Sequence, residues 1–87
     1  MKSFLLKVSS PSGDLFCGDI VQLNVRSTEG ELAVMAGHIP FVCALVPCDC
    51  KLILKDGSER VGHTDGGVLT VSKEKVILLS GSFCWNE

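Results

Sequence analysis

The chain has 87 residues, 46% hydrophobic and 21% charged, with 8 basic and 10 acidic side chains and a formal net charge of −2. That length suits one domain over residues 1–87, and the absence of a basic run or stripe removes the electrostatic footprint of a nucleic-acid binder. No apolar run approaches the roughly 20 residues of a membrane span, and Lys7 interrupts the apolar start Phe4-Leu5-Leu6 before it reaches the length of a secretory signal.

No window repeats apolar residues at helical spacing. Short β-rich runs separated by Gly, Asp and Ser predict an all-β sandwich or barrel. Residues 2–9 read as a first strand with Phe4, Leu6 and Val8 on one face, followed by a turn at Pro11-Ser12-Gly13-Asp14. Leu15 to Cys17 is a short extended piece, and Gly18-Asp19 reads as a second turn. From Ile20 to Ser27, Val21, Leu23 and Val25 alternate with Gln22, Asn24 and Arg26, which predicts one buried and one wet face. Thr28-Glu29-Gly30 breaks that strand, and Glu31 to Met35 is short and extended. The stretch Ala36-Gly37-His38-Ile39-Pro40 is a loop, because Pro40 biases Ile39 away from helix. Phe41 to Val46 is the next strand. Asp56-Gly57 between two extended runs, Lys51 to Lys55 and Ser58 to Gly62, predicts a hairpin with a type I′ turn. After a turn at Thr64 to Gly67, Val68 to Ser72 and Lys75 to Ser80 form a hairpin around Lys73-Glu74. The tail from Gly81 to Glu87 carries Trp85 and no helical periodicity; it reads as unstructured, with Trp85 either capping the core or exposed.

A chain of this size buries only roughly 60–65% of its unfolded surface. Its mean hydropathy of +0.37 therefore has two readings: all the apolar residues enter one core, or some of them meet a partner. The five cysteines are odd in number and lack a secretory context, which makes free buried thiols the default. Cys48-Asp49-Cys50 with Cys43 and His38 or His63 could supply four metal ligands, but Cys-x-Cys is not zinc-knuckle spacing and no second pair exists. No base, orienting group or oxyanion hole marks a catalytic nucleophile. Gly66-Gly67 lacks the Lys-Ser/Thr and the helix N-terminus of a phosphate cradle. The residues thus mark no catalytic group, metal, cofactor or small-molecule substrate.

The stretch Glu29-Gly30-Glu31-Leu32-Ala33-Val34-Met35-Ala36-Gly37-His38-Ile39-Pro40 resembles the epsilon subunit of F-type ATP synthases. That family carries Gly-Glu-Phe/Leu-Gly-Val/Ile-Leu/Tyr-Pro-Gly-His-x-Pro here, and Gly30, Glu31, Leu32, Val34, Gly37, His38 and Pro40 match it. Gly66-Gly67-Val68-Leu69-Thr70-Val71 is similar to the family's Gly-Gly element, Lys75 to Leu79 to its x-Val-Thr-Val-Leu strand, and Pro11 and Gly18 to positions near its start. Arg26-Ser27, Ala33, Ala36, Cys48 and Thr70 depart from it.

The resemblance implies a flattened β-sandwich of short, mostly antiparallel strands. It also implies a non-catalytic subunit that docks the gamma-subunit central stalk to the membrane c-ring. Such a subunit sits peripherally on the cytoplasmic side of the cell membrane or in the cytoplasm. Family members continue into two helices that inhibit hydrolysis and, in some, bind nucleotide; this chain ends at Glu87, so neither property is expected of it. By position, Glu29, Glu31 and His38 fall in the c-ring-facing segment. A carboxylate there can meet Arg or Lys on a polar loop, and an imidazole can donate or accept. Glu31 could equally be a solvated loop charge, and His38 could instead bond backbone in the Gly37–Pro40 turn. Gly30, Gly37, Pro40, Gly66 and Gly67 are read as turn-defining. The alternative from a different class is a stand-alone cysteine-rich β-sandwich with a metal or redox role.

Overall fold

The computed structural model describes residues 2–37 and 39–85. Among them are nine strands and no helix: β1 (Phe4–Ser10), β2 (Gly13–Ser27), β3 (Gly30–Met35), β4 (Phe41–Leu45), β5 (Cys48–Leu54), β6 (Glu59–Thr64), β7 (Gly67–Val71), β8 (Lys75–Ser80) and β9 (Phe83–Trp85). The long β2 joins two layers. Its first half pairs with β1, which continues through β8 and β7 to β4. Its second half lies between β3 and β5, and β5 continues through β6 to β9. Ile20 is the crossing point, opposite Phe4 on one edge and Leu54 on the other. Every pairing is antiparallel except β1 with β8. The result is the all-strand, sandwich-like fold that the punctuation predicts.

Alternate residues of both layers point inward. Phe4, Leu6 and Val8 of β1 are buried as predicted, facing Ile20, Leu23 and Val25 of β2, Leu52 of β5, Leu69 and Val71 of β7, and Val76 and Leu78 of β8. Burying each such side chain contributes about 1.5–3 kcal/mol.

Four local expectations are corrected. Gly18-Asp19 is not a turn: β2 passes straight through it, because Leu6 and Leu5 of β1 pair with those residues. Val21 does not share the buried face of Leu23 and Val25. It is the extra residue of a bulge, since β2 advances from Ile20 to Gln22 while β5 advances from Leu54 to Ile53. The bulge reverses the inward phase, so Ile20 is buried and Val21 only half-buried. The β5–β6 loop is not type I′. Gly57 N–H donates to the Leu54 carbonyl, which puts Lys55 and Asp56 at the turn's centre, and neither has positive φ. In this loop only Gly57 does (φ 88), the arrangement of a three-residue loop with a bulge.

The fourth correction concerns the tail. Residues 83–85 form β9, antiparallel to β6, with Phe83 buried. Trp85 meets Phe83 edge-on at 5.1 Å and Phe16 at 6.0 Å, and the Arg60 guanidinium lies 3.8 Å from its centroid. Gly62 sits opposite Trp85 because a Cβ there would run into the Phe83 ring. This aromatic group closes one open end of the sandwich, and it falls in the last described residues because β9 is the outermost strand of its layer.

Candidate docking surface

The two outer faces of the sandwich differ in chemistry. On β4, β7 and β8, the residues between the inward-facing ones lie in two cross-strand rows: Ala44, Val68 and Leu79, then Val42, Thr70 and Ile77. None of these six carries a charge; the charges on this face are Lys75 at the start of β8 and Lys7 of β1, beside Leu5 and Ile77. Val42 is 67% exposed, Leu79 49% and Val68 41%. Leu5 on neighbouring β1 adds to the same face. Clustered apolar side chains of this kind are unusual on a surface that meets only water.

The outer face of β3, β2, β5 and β6 is polar. It carries Arg26 paired with Glu31 (3.1 Å), Lys51 with Glu59 (2.9 Å) and His63 Nδ1 with Asp49 Oδ1 (3.0 Å). All six side chains are largely exposed, so water screens these pairs and each contributes little. One face is satisfied by solvent and the other is not. The signal was present in the sequence as runs without alternation, Phe41-Val42-Cys43-Ala44-Leu45 and Ile77-Leu78-Leu79, which mark strands apolar on both faces.

The residues singled out from the sequence do not converge. The stretch Glu29–Pro40 divides as the sequence reads it, with a hairpin turn at 28–29, strand β3 and, after it, non-strand residues at 36–37 and 39–40. Glu29 and Glu31 lie exposed at the hairpin end. The Glu29 N–H donates to Ser27 Oγ (3.2 Å), and Glu31 is engaged with Arg26 beside a shallow cleft that Asn24, Asp49 and Lys51 also line. Met35 is four residues further along β3, about 13 Å at strand rise, and begins the opposite end, where Ile39 is 80% exposed and Pro40 is exposed. His38 lies outside the described residues. Gly30 (φ 125) and Gly37 (φ 89) hold the left-handed conformations that their turns need.

Gly66 and Gly67 belong to a buried polar clamp. Thr64 and Ser80 share a hydroxyl–hydroxyl bond of 2.6 Å. Thr64 Oγ1 accepts the Gly66 N–H (3.1 Å), and Ser80 donates to the Gly66 carbonyl (3.1 Å) or the Ser82 carbonyl (2.8 Å). Gly66 (φ 121) turns the chain, and Gly67 lets β7 pass against the Leu79 carbonyl, where a Cβ would collide. Composition cannot reveal Thr64 and Ser80, because hydroxyl residues also occupy most of the exposed turns.

Among the described residues the five cysteines are free. Cys48 opens β5. Burial, then Cys48 and Asp49, pushes the Cys50 thiol up to about 12, and burial followed by Glu29 raises Cys43. Both stay protonated, the unreactive form. Asp49, His63 and Cys84 fall in one row across β5, β6 and β9. Even so, no group of three or more His, Cys, Asp or Glu side chains among the described residues is placed to hold a metal ion.

Residues 3–86 match the family model for the β-sandwich domain of the ATP synthase delta/epsilon chain. The chain is 35% identical over 86 residues to the ATP synthase epsilon chain of Clostridium novyi (strain NT), covering 99% of this chain and 66% of that one. It is 34% identical over 77 residues to the epsilon chain of Dichelobacter nodosus (strain VCS1703A), covering 88% and 54%. It thus spans between half and two thirds of these relatives' length. Its fold is shared with a chain in the cryo-EM structure of the Euglena gracilis mitochondrial ATP synthase, OSCP/F1/c-ring in rotational state 1. There the TM-score is 0.90 at 20% identity, over 95% of this chain and 53% of that one. A chain of the Tetrahymena thermophila mitochondrial ATP synthase central stalk/c-ring aligns with TM-score 0.76 at 12% identity, over 94% and 66%.

Proposed function

This chain belongs to the ATP synthase delta/epsilon β-sandwich family, and on that premise we propose that it is a non-catalytic coupling module that docks the gamma-subunit central stalk to the membrane c-ring. Its role is mechanical, and the fold's stiffness suits it. A two-layered sandwich sharing the continuous strand β2 deforms less under load than a loop would. Association with the membrane is peripheral, through the complex; no helix among the described residues is long and apolar enough to cross one.

The observation that carries this reading is the cluster of exposed apolar side chains on the outer face of β4, β7 and β8, with charge only at its edge toward β1, on Lys7 and Lys75. Burying Val42, Val68 and Leu79 against the stalk subunit removes from water the apolar surface that folding leaves exposed. The c-ring contact is assigned to the ends of β3, with Glu29 and Glu31 at one end and Ile39 and Pro40 at the other; His38, next in sequence to Ile39, belongs to the same assignment.

The test is capture of co-expressed gamma subunit by wild type and by Val42→Lys. Val42 is mostly exposed, so the substitution leaves stability within about 0.5 kcal/mol. It buries an unpaired ammonium in the docked state, and capture is expected to fall at least tenfold, about 1.4 kcal/mol. Capture equal to wild type would remove the face from the interface and the reading with it.

A further inference from the structure

Asp49 of β5, His63 of β6 and Cys84 of β9 come from three separate parts of the chain, and the register sets them side by side in one cross-strand row on the polar outer face. One hydrogen bond orders the row. His63 Nδ1 lies 3.0 Å from Asp49 Oδ1. A carboxylate only accepts, so the neutral ring carries its proton on Nδ1 and keeps a lone pair on Nε2. With Nδ1 turned toward β5, Nε2 faces away from it, on the β9 side of the ring. Cys84 is the residue directly opposite there, exposed, at a Cβ–Cβ spacing of about 4.5–5.5 Å. The row does not suit a metal ion, because its outer members stand two strand spacings apart, about 9–10 Å. Passing a proton along it requires only that neighbours meet.

Independently of the stalk contact, we propose that Cys84 is a site of reversible S-thiolation by low-molecular-weight disulfides, with His63 as its general base and Asp49 as the residue that positions the ring. Cys84 gives its thiol proton to His63 Nε2 as its sulfur attacks one sulfur of the disulfide. The S–S bond breaks, a mixed disulfide forms on Cys84, and the departing thiolate takes the proton back from Nε2. The Cys84 sulfur is oxidised, one sulfur of the reagent is reduced, and nothing else is consumed. One water or one rotamer step of Cys84 closes the gap to the ring. The side chains of His63 and Asp49 are 51% and 64% exposed, so a small reagent reaches the row. The other four thiols lack this arrangement. Cys50 and Cys43 are held protonated, chiefly by burial. Cys48 is half-buried against the Arg26 carbonyl (3.8 Å). Cys17 is exposed, but it stands opposite Lys7, whose ammonium has no lone pair to accept a proton.

The experiment uses the chain's own cysteines as controls. Wild type, His63→Gln, His63→Ala and Asp49→Asn are treated with oxidised glutathione at neutral pH, and mixed-disulfide formation at each cysteine is timed by peptide mass spectrometry. Cys84 of the wild type is expected to react about tenfold faster than Cys17, the exposed thiol without a base. In His63→Gln the two rates should come within about threefold of each other, with Asp49→Asn in between. Free imidazole added to His63→Ala should restore the Cys84 rate and leave Cys17 unchanged, which a merely structural role of His63 would not produce. Buried Cys50 staying unmodified shows that each variant is folded, since unfolding would expose it and raise its rate. Equal rates at Cys84 and Cys17 in the wild type overturn the proposal, as does a Cys84 rate that His63→Gln leaves unchanged. A Cys84 rate that falls in His63→Gln but not in Asp49→Asn overturns the positioning role of Asp49.

Discussion

Gly67 is where one hydrogen in place of a methyl group decides whether two strands can meet. A Cβ there would enter the Leu79 carbonyl, and Leu79 cannot retreat because β8 is held on both sides, by β7 and by β1. Gly67→Ala is therefore expected to lose about 2–3 kcal/mol, read from the urea midpoint, whereas Gly81→Ala should change it little. Cys50 predicts a pH effect. Its thiol is held up to about 12 in the fold against 9.0 when free. Between about pH 9 and 12 the unfolded chain has released a proton that the native chain retains. Stability is fully present below pH 9 and declines across that window. Urea midpoints taken from pH 8 to 11 should fall more steeply for the wild type than for Cys50→Ala, whatever that variant's absolute stability. Equal slopes would mean that burial does not hold the proton.

Strand β2 carries the fold's main structural surprise at the scale of elements. Its hydrophobic pattern is in phase with the core at Ile20 and again at Leu23 and Val25 only because Val21 is an extra residue. Deleting Val21 would remove the bulge and leave Ile20, Leu23 and Val25 in unbroken inward alternation, with Gln22 and Asn24 outward. The expected outcome is that the deletion, like Val21→Thr, keeps a cooperative unfolding transition in urea; its loss would mean that the bulge itself is needed. Strand β9 shows the opposite case, a short element held by side chains. Trp85→Ala removes the edge contacts with Phe16 and Phe83 and the ring beneath Arg60. It is expected to cost about 2–3 kcal/mol, less than the 3–5 of a fully buried aromatic because Trp85 is only half-buried. Thermal unfolding followed by far-UV circular dichroism checks it. Pattern reading found β1, β4 and the β7–β8 hairpin because each pairs in regular alternation or around a two-residue loop. It failed at Gly18-Asp19, Val21 and β9, where partners distant in sequence override the local signal.

For the whole molecule, the pairing that unites one layer is also its most remote. Leu5 faces Lys75, 70 positions away, in the one parallel pairing among the described strands. Such closure costs loop entropy before it returns any burial. Refolding by stopped flow is expected on the ms–s scale of all-β sandwiches, not the μs–ms scale of helical proteins. The division into an apolar and a polar outer face belongs to this scale too. Each strand contributes only two or three outward residues, and their identity as one surface depends on the register that sets Val42 beside Thr70 and Ala44 beside Val68.

What the sequence by itself determined is the all-β class, most strand positions, the inward set on β1 and the kinship with a known sandwich. These follow from side-chain alternation and from glycine and proline punctuation, which act over a few residues at a time. Only the tertiary structure decided that β2 is a single bulged strand, that the last described residues pack on the core, and that one outer face gathers exposed apolar side chains. Those outcomes depend on which distant strands become neighbours. Hydrogen-bond register and burial settle that over the whole molecule at once, so no local window of residues contains it.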